Sequence, residues 1–494
     1  MKEINLAPNP VSLIESMRDI GYSLDTAISD IIDNSITAKA NNINIRFNWN
    51  EGHPWLAIID DGEGMIEEKL ISAMRLGSQN PLEERSKNDL GRFGLGLKTA
   101  SFSQCRKLTV LTKNNNTVTC AKWDIDFLCN QTNNEWTLCL LDNQEIGKSS
   151  ILSELQNAYL LNNQSGTIVL WENIDRVVEI NSDNISEKFF NESLANVKEH
   201  LELIFHRFLS PSIGESKIKV YFNNAQIRGF DPFNYKQSTE LRSEEFTYEK
   251  ATIRVQPYIL PHHHKISKTE WNKYAGKQGY LHEQGFYIYR NRRLIIHANW
   301  FRLIKKEELT KLLRVMVDIP NTLDHLWKID VKKSNAFPPE GVRRELKRII
   351  GKIEFSGKKV YKQRGQKISE KVSHPVWERI AKNNQIFYQI NKKQPIVINY
   401  LNNLTDIEKK SFENILSMIE TSFPLESFYN DSASTPEQMK RISMGQEQIE
   451  NLFKMFIGDA DISKTKFDEI LQIEPFASNK EITKTIIKDL GYEL

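Results

Sequence analysis

Asp30 and Asn34 stand four residues apart in "SDIIDNSITAKA", so on a helix both side chains project from one face. A carboxylate and a carboxamide placed there can serve as a general base and a metal ligand. Further on, "DDGEGM" sets Asp60 at the end of an apolar run, followed by Gly62, Gly64 and Met65. Asp60 can accept a hydrogen bond from an adenine amino group, and the two glycines let the backbone turn tightly against a ligand. A third segment, "GRFGLGLK", strings Gly91, Arg92, Phe93, Gly94, Leu95, Gly96, Leu97 and Lys98 ahead of a helix. Such a loop turns backbone N–H groups and a helix dipole toward phosphates, and Lys98 adds a point charge. Each segment alone is common. Their order within one 100-residue span lines up a base, a metal ligand, an adenine acceptor and a phosphate cradle.

The elements that must position them follow from periodicity. "SLDTAISDIIDNSITAKA" reads as a helix, with Ser23 as N-cap and Asp25 in the first turn; Ile28, Ile31, Ile32 and Ser35 share a face that can pack on a sheet. "NINIRFNW" alternates as a strand, "WLAIIDDGEGM" is a buried strand running into a glycine turn, and "IEEKLISAMRLG" is a helix ending at Gly77. "KLTVLTK" and "SGTIVLWENI" are further strands, and "ISEKFFNESLANVKEHLELIFHRFL" is one or two helices. From "KIKVYFNNAQI" onward the period shifts to two, which marks a second domain beginning near residue 215.

The 494 residues suffice for two to four domains. Lys and Arg total 66 against 64 Asp and Glu, so any nucleic-acid surface must be a local patch. No apolar run is long enough to span a membrane, and "MKEINLAPNP" has no apolar signal core. Cys105, Cys120, Cys129 and Cys139 follow no metal-site or disulfide spacing, which fits reduced thiols in a cytoplasmic protein.

The three segments resemble those of the GHKL ATPases, the gyrase, heat-shock-chaperone, histidine-kinase and MutL superfamily. "DIIDN" looks like the N-box, "DDGEG" like the second motif, "GRFGLGLK" like the lid motif, and "SGTIVL" like the adenine-proximal strand. "RDIGYSLDTAISDIIDNSITAKA" and "GRFGLGLKTASFSQ" are most similar to the prokaryotic MORC and MutL-like branch, and the likeness runs on through "QGFYIYRNRRLI" and "DHLWKIDVKKSNAFPP", about residues 5–350. The resemblance implies an α+β chain. A Bergerat-fold ATP-binding domain over 1–210, a mixed sheet with helices on one face, would be followed by an S5-like transducer over 211–340. A basic helical connector over 341–372 and a mainly helical region over 373–494 complete the expectation. It also implies roles: ATP and Mg2+ as cofactors, Asn34 on the metal, Asp60 on adenine with Thr167 and a water, Gly91 to Lys98 around the triphosphate. Lys332 or Lys333 would reach the terminal phosphate.

One departure bears on mechanism. The family's N-box carries Glu four residues before Asn, where this chain has Asp30. Asp is one methylene shorter, so the attacking water must sit closer or be relayed, and slow turnover is expected. Asp33 points at least a quarter turn from Asn34 and suits a structural hydrogen bond. Thr37 replaces an acidic residue often found three after the Asn.

Three weaker signals remain. Consecutive His262, His263 and His264 do not converge on one ion and read as a polar loop. Arg290, Arg292 and Arg293 in "YRNRR" fit either a phosphate-binding strand end or a solvated sheet edge. The stretch from Arg343 to Lys371 reads as a DNA-phosphate footprint or a solvated helix flank.

The resemblance implies an ATP-gated homodimeric clamp on DNA, with residues 1–22 packing across the dimer. It further implies a place in a restriction or antiviral phage-defence system, beside a partner nuclease or helicase. The alternatives are a heat-shock-type chaperone and a non-hydrolysing ATP-binding scaffold.

Overall fold

The computed structural model describes residues 8–19, 21–77, 96–131, 135–176, 187–324, 326–327, 337–353, 374–382, 385–425, 427–428, 442–457, 467 and 469–490. These divide into two compact bodies, residues 1–306 with 311–353, and 307–310 with 354–494.

The first body opens with two helices, α1 (Pro10–Arg18) and α2 (Leu24–Thr37). Ser23 occupies the N-cap of α2 in extended backbone, as its sequence predicts. Its hydroxyl, however, donates to Asp25, and the Asp25 carboxylate takes the Thr26 amide. Ile28, Ile31 and Ile32 are fully buried, each stabilising the fold by about 2 kcal/mol.

The helix packs on a mixed sheet. Its elements follow in order as β1 (Asn42–Asn48), β2 (Trp55–Asp60), α3 (Glu67–Met74), α4 (Gly96–Phe102), β3 (Cys105–Asn114) and β4 (Thr117–Asp124). Then come α5 (Ile125–Cys129), β5 (Cys139–Leu140), α6 (Asn143–Lys148), α7 (Ser150–Leu155), β6 (Gly166–Ile174), α8 (Glu187–Ile204), α9 (His206–Leu209), β7 (Lys219–Phe222) and β8 (Ala225–Gln226). The eight strands lie in the order β5-β4-β3-β6-β2-β1-β7-β8. All pairs are antiparallel except β1 with β7. The strand "KVYF", read from its period as the start of a second domain, therefore belongs to the first sheet. Its alternation is the same in either sheet, and only the partner strand distinguishes them.

Alternation sends Leu56 and Ile58, Leu108 and Val110, Val169 and Trp171 into the core under α2 and α8. Their neighbours Ala57, Ile59, Leu111, Ile168 and Leu170 pack against Ile146, Leu152, Leu155 and Leu160. Residues 143–160 thus cover the face opposite α2, in addition to the helices expected on one face. The polar segment 115–165 concealed this in the sequence.

A second sheet follows in the same body. Its elements are β9 (Thr239–Glu240), β10 (Glu244–Tyr248), β11 (Ala251–Ile259), α10 (Lys268–Ala275), α11 (Tyr280–Glu283), β12 (Gly285–Arg290), β13 (Arg293–Asn299) and β14 (Leu313–Ile319). The order is β10-β11-β14-β12-β13, with β9 on β11 and β12 parallel to β14. Tyr258, Tyr287, Tyr289 and Leu294 join the same core as the α2 isoleucines, so one apolar interior runs between the two sheets. A helix, α12, spans 340–353.

The second body holds a hairpin, Trp377–Lys382 with Gln385–Ile390, and the helices Pro395–Asn402, Asp406–Thr421, Gln446–Ile457 and Lys480–Asp489. Ile449, Phe453, Phe476, Ile486 and Ile487 form its core. Among the described residues no helix is long and apolar enough to cross a membrane.

Candidate functional site

Consecutive positions on α2 meet different partners. Asp30 is buried, 4% exposed, and accepts a hydrogen bond from the Tyr22 hydroxyl at 3.2 Å. Asn34 is exposed. Ser35, next to it, donates its hydroxyl to Asp60 Oδ2 at 2.7 Å. Asp33 is buried and paired with Arg293.

Asp60 ends β2 and is buried. Ser35 and the Gly62 amide, which donates to Oδ1 at 3.0 Å, both favour its ionised form. Burial outweighs them and holds its carboxyl above the ordinary range, at about 6. Thr167 stands opposite Asp60 in register across β2 and β6, and Thr112 stands opposite Thr167 across β3 and β6. Thr112 Oγ1 donates to the Gly166 carbonyl (3.1 Å) and accepts from the Met65 amide (2.9 Å), with Thr167 Oγ1 at 3.2 Å.

The glycines of "DDGEGM" press this loop onto the sheet. Gly64 has φ 65°, and a β-carbon there would lie 1.9 Å from the Lys113 carbonyl oxygen. A β-carbon at Gly62 would lie 2.8 Å from the Ala38 carbonyl oxygen. From the third segment, Gly96 opens α4 beside α2, where a β-carbon would sit 3.6 Å from Asp30 Oδ2. Leu97 is half-buried in the first core. Gly91, Arg92, Phe93, Gly94 and Leu95 lie outside the described residues, as do Lys332 and Lys333.

Lys98, expected to add a charge for phosphate, is engaged within the domain. Its ammonium donates to the carbonyls of Ala73 and Arg75, both at 2.9 Å, at the C-terminal end of α3. Unpaired carbonyls and the dipole favour a cation there, and burial brings the Lys98 pKa down to about 8.

The arginines of "YRNRR" are neither a phosphate-binding strand end nor a solvated edge. Arg290 and Arg293 are buried in ion pairs with Asp324 and Asp33, and Arg292 donates to the Arg207 and Ser216 carbonyls. The His262 and His263 rings lie tilted against each other, and Trp271 meets His263 edge to face. In the described part of the basic stretch, Arg343 pairs with Glu340, Arg348 with Glu345 and Glu244, and Lys352 with Glu244, while Arg344 and Lys347 are exposed.

Among the described residues no group of three or more His, Cys, Asp or Glu side chains could hold a metal ion. Asn34 offers one exposed carboxamide oxygen. That donor set fits Mg2+ carried mainly by phosphate and water oxygens rather than caged by protein.

Ser35, Thr112 and Tyr22 escape a reading by motif. The only sequence signal for Ser35 is a hydroxyl on the apolar face of α2.

Parts of the chain are similar to known proteins. Residues 22–167 match the family described as histidine kinase-, DNA gyrase B-, and HSP90-like ATPase. ATPase morc-1 of Caenorhabditis elegans is 28% identical over 181 residues, 31% of this chain and 21% of the relative's length. The ATPase region of Saccharomyces cerevisiae topoisomerase II, solved with ICRF-187 (dexrazoxane), covers 67% of this chain and 84% of its own at 11% identity. The TM-score is 0.36. The span 22–167, which contains Asp60, its threonines and α2, is thus similar to the GHKL ATPases, with a MORC ATPase among the relatives of part of this chain.

Proposed function

We propose that the chain is a slow ATP-driven switch. ATP binds with its adenine amino group on Asp60, supported by Thr167 and a water, and its triphosphate under the 91–98 stretch. Asn34 contributes to Mg2+, Asp30 orients the attacking water, and Lys332 or Lys333 meets the terminal phosphate. ATP-bound chains pair as dimers that close on DNA, with the positive residues from Arg343 to Lys371 meeting its phosphates, within a defence system that includes a nuclease or helicase. In this reading ATP binding belongs to 1–210, an S5-like transducer to 211–340, whose first strands β7 and β8 join the first sheet, a basic connector to 341–372 and a helical region to 373–494.

The observation that carries the reading is the junction of Ser35 with Asp60, which sets the adenine acceptor beside the helix bearing Asp30 and Asn34. ATP binding and turnover of wild type and Asp30→Asn, with and without duplex DNA at two salt concentrations, test it. Asp30→Asn should keep ATP affinity and lose turnover by about 100-fold, the usual contribution of a general base. Full turnover in that variant would remove Asp30 from the mechanism.

One observation favours the non-hydrolysing scaffold as second reading. The short Asp30 carboxylate is already engaged by Tyr22. A wild-type chain that binds ATP without turnover would decide for it.

A further inference from the structure

Arg293 reaches α2 from the second sheet. It opens β13 directly after Asn291 and Arg292, both at positive φ (46° and 72°), a two-residue turn whose twist matches the flanking strands. Its Nε donates to Asp33 Oδ1 at 2.8 Å across 260 residues of chain. Both side chains are buried, 5% and 1% exposed. The guanidinium also lies over the Phe205 ring, 5.4 Å from its centroid, between α8 and α9. At the other side of the same turn, Arg290 binds Asp324 through Nε, 2.8 Å from each carboxylate oxygen. One hairpin therefore grips α2 with one arginine and the stretch after β14 with another.

A buried ion pair is weak evidence for stability, because apolar side chains of similar volume often serve as well. What this pair specifies is geometry. Asp33 lies between Asp30 and Asn34 in sequence, and a planar guanidinium bound by its carboxylate and seated on Phe205 limits where that turn of α2 can sit.

We infer that Arg293 is a positioning residue for the nucleotide site. Acting through Asp33, it holds the turn of α2 that carries Asp30 and Asn34 and ties that turn to the second sheet. This rests on α2 being the nucleotide-binding helix. A displacement of about 1 Å at such a site can cost about 100-fold in rate.

The test uses the full chain with Arg293→Met, Arg293→Lys and Asp33→Asn. Arg18→Met is the control, since Arg18 is also buried and paired, with the Cys105 carbonyl and Asp175, but not through α2. Amide hydrogen exchange is read without nucleotide, and ATP affinity by calorimetry. Arg293→Met should speed exchange over residues 28–36 at least tenfold and weaken ATP binding at least tenfold. Asp33→Asn should follow it, and Arg293→Lys should recover part of both. Arg18→Met should lower the melting temperature without either change. Should Arg293→Met not fold, Asp33→Asn and Arg293→Lys carry the comparison.

Exchange in α2 no faster than in Arg18→Met at a matched loss of melting temperature would overturn the inference. So would a loosened α2 with ATP affinity unchanged. A wild-type chain that binds no ATP would remove the proposed function, while the exchange measurement would still decide whether Arg293 holds α2.

Discussion

Asp60 carries opposing demands. Its carboxyl is surrounded by donors suited to an anion, yet burial raises its pKa from 3.8 to about 6. Between those values the folded chain holds a proton that the unfolded chain releases. Stability from this group is therefore greatest at low pH and falls as pH rises from about 4 to about 6, by about 3 kcal/mol at most. Asp60→Asn removes that titration while keeping an oxygen for the Gly62 amide. At pH 7.5 the nucleotide-free variant should melt above wild type, and the advantage should vanish near pH 4. Its ATP affinity should drop at least tenfold, because an acceptor-only group is replaced by one that also donates. Thermal melts at both pH values and calorimetry check the two halves. A melting difference independent of pH would mean that Asp60 does not titrate as its surroundings dictate.

At the scale of elements, the loop after β2 is the least tolerant part of the site. Gly64→Ala should destabilise the chain by about 3 kcal/mol, combining positive-φ strain with the clash against Lys113. Denaturant unfolding measures it, and a loss below about 1 kcal/mol would show that the loop relaxes freely. This element was legible in the sequence because a glycine at a fixed offset from an acidic strand end has a backbone reason to be there. The isoleucine face of α2 was legible for a similar reason, since helical period and burial agree. What stayed hidden depends on partners far away in the chain. Asp33 reads as suited to a structural hydrogen bond, but its partner Arg293 is not legible in the sequence. The strand "KVYF" reads the same in either sheet. The contact of Lys98 with the end of α3 is equally invisible until the two helices are placed together.

At the scale of the molecule, ATP binding favours whichever assembly completes the contacts around its phosphates, which is linkage rather than force. A non-hydrolysable ATP analogue with Mg2+ should therefore shift the chain from monomer to dimer in light scattering. Unchanged mass with nucleotide demonstrably bound would sink the clamp. The second body has its own core, so the shift should be sought in the full chain, where any contribution from that body is included.

Lys98 also joins two elements that the sequence separates, α3 and α4. By bonding to Ala73 and Arg75 it staples the end of α3 to the start of α4. One ammonium thereby keeps two helices in register that are far apart in the chain.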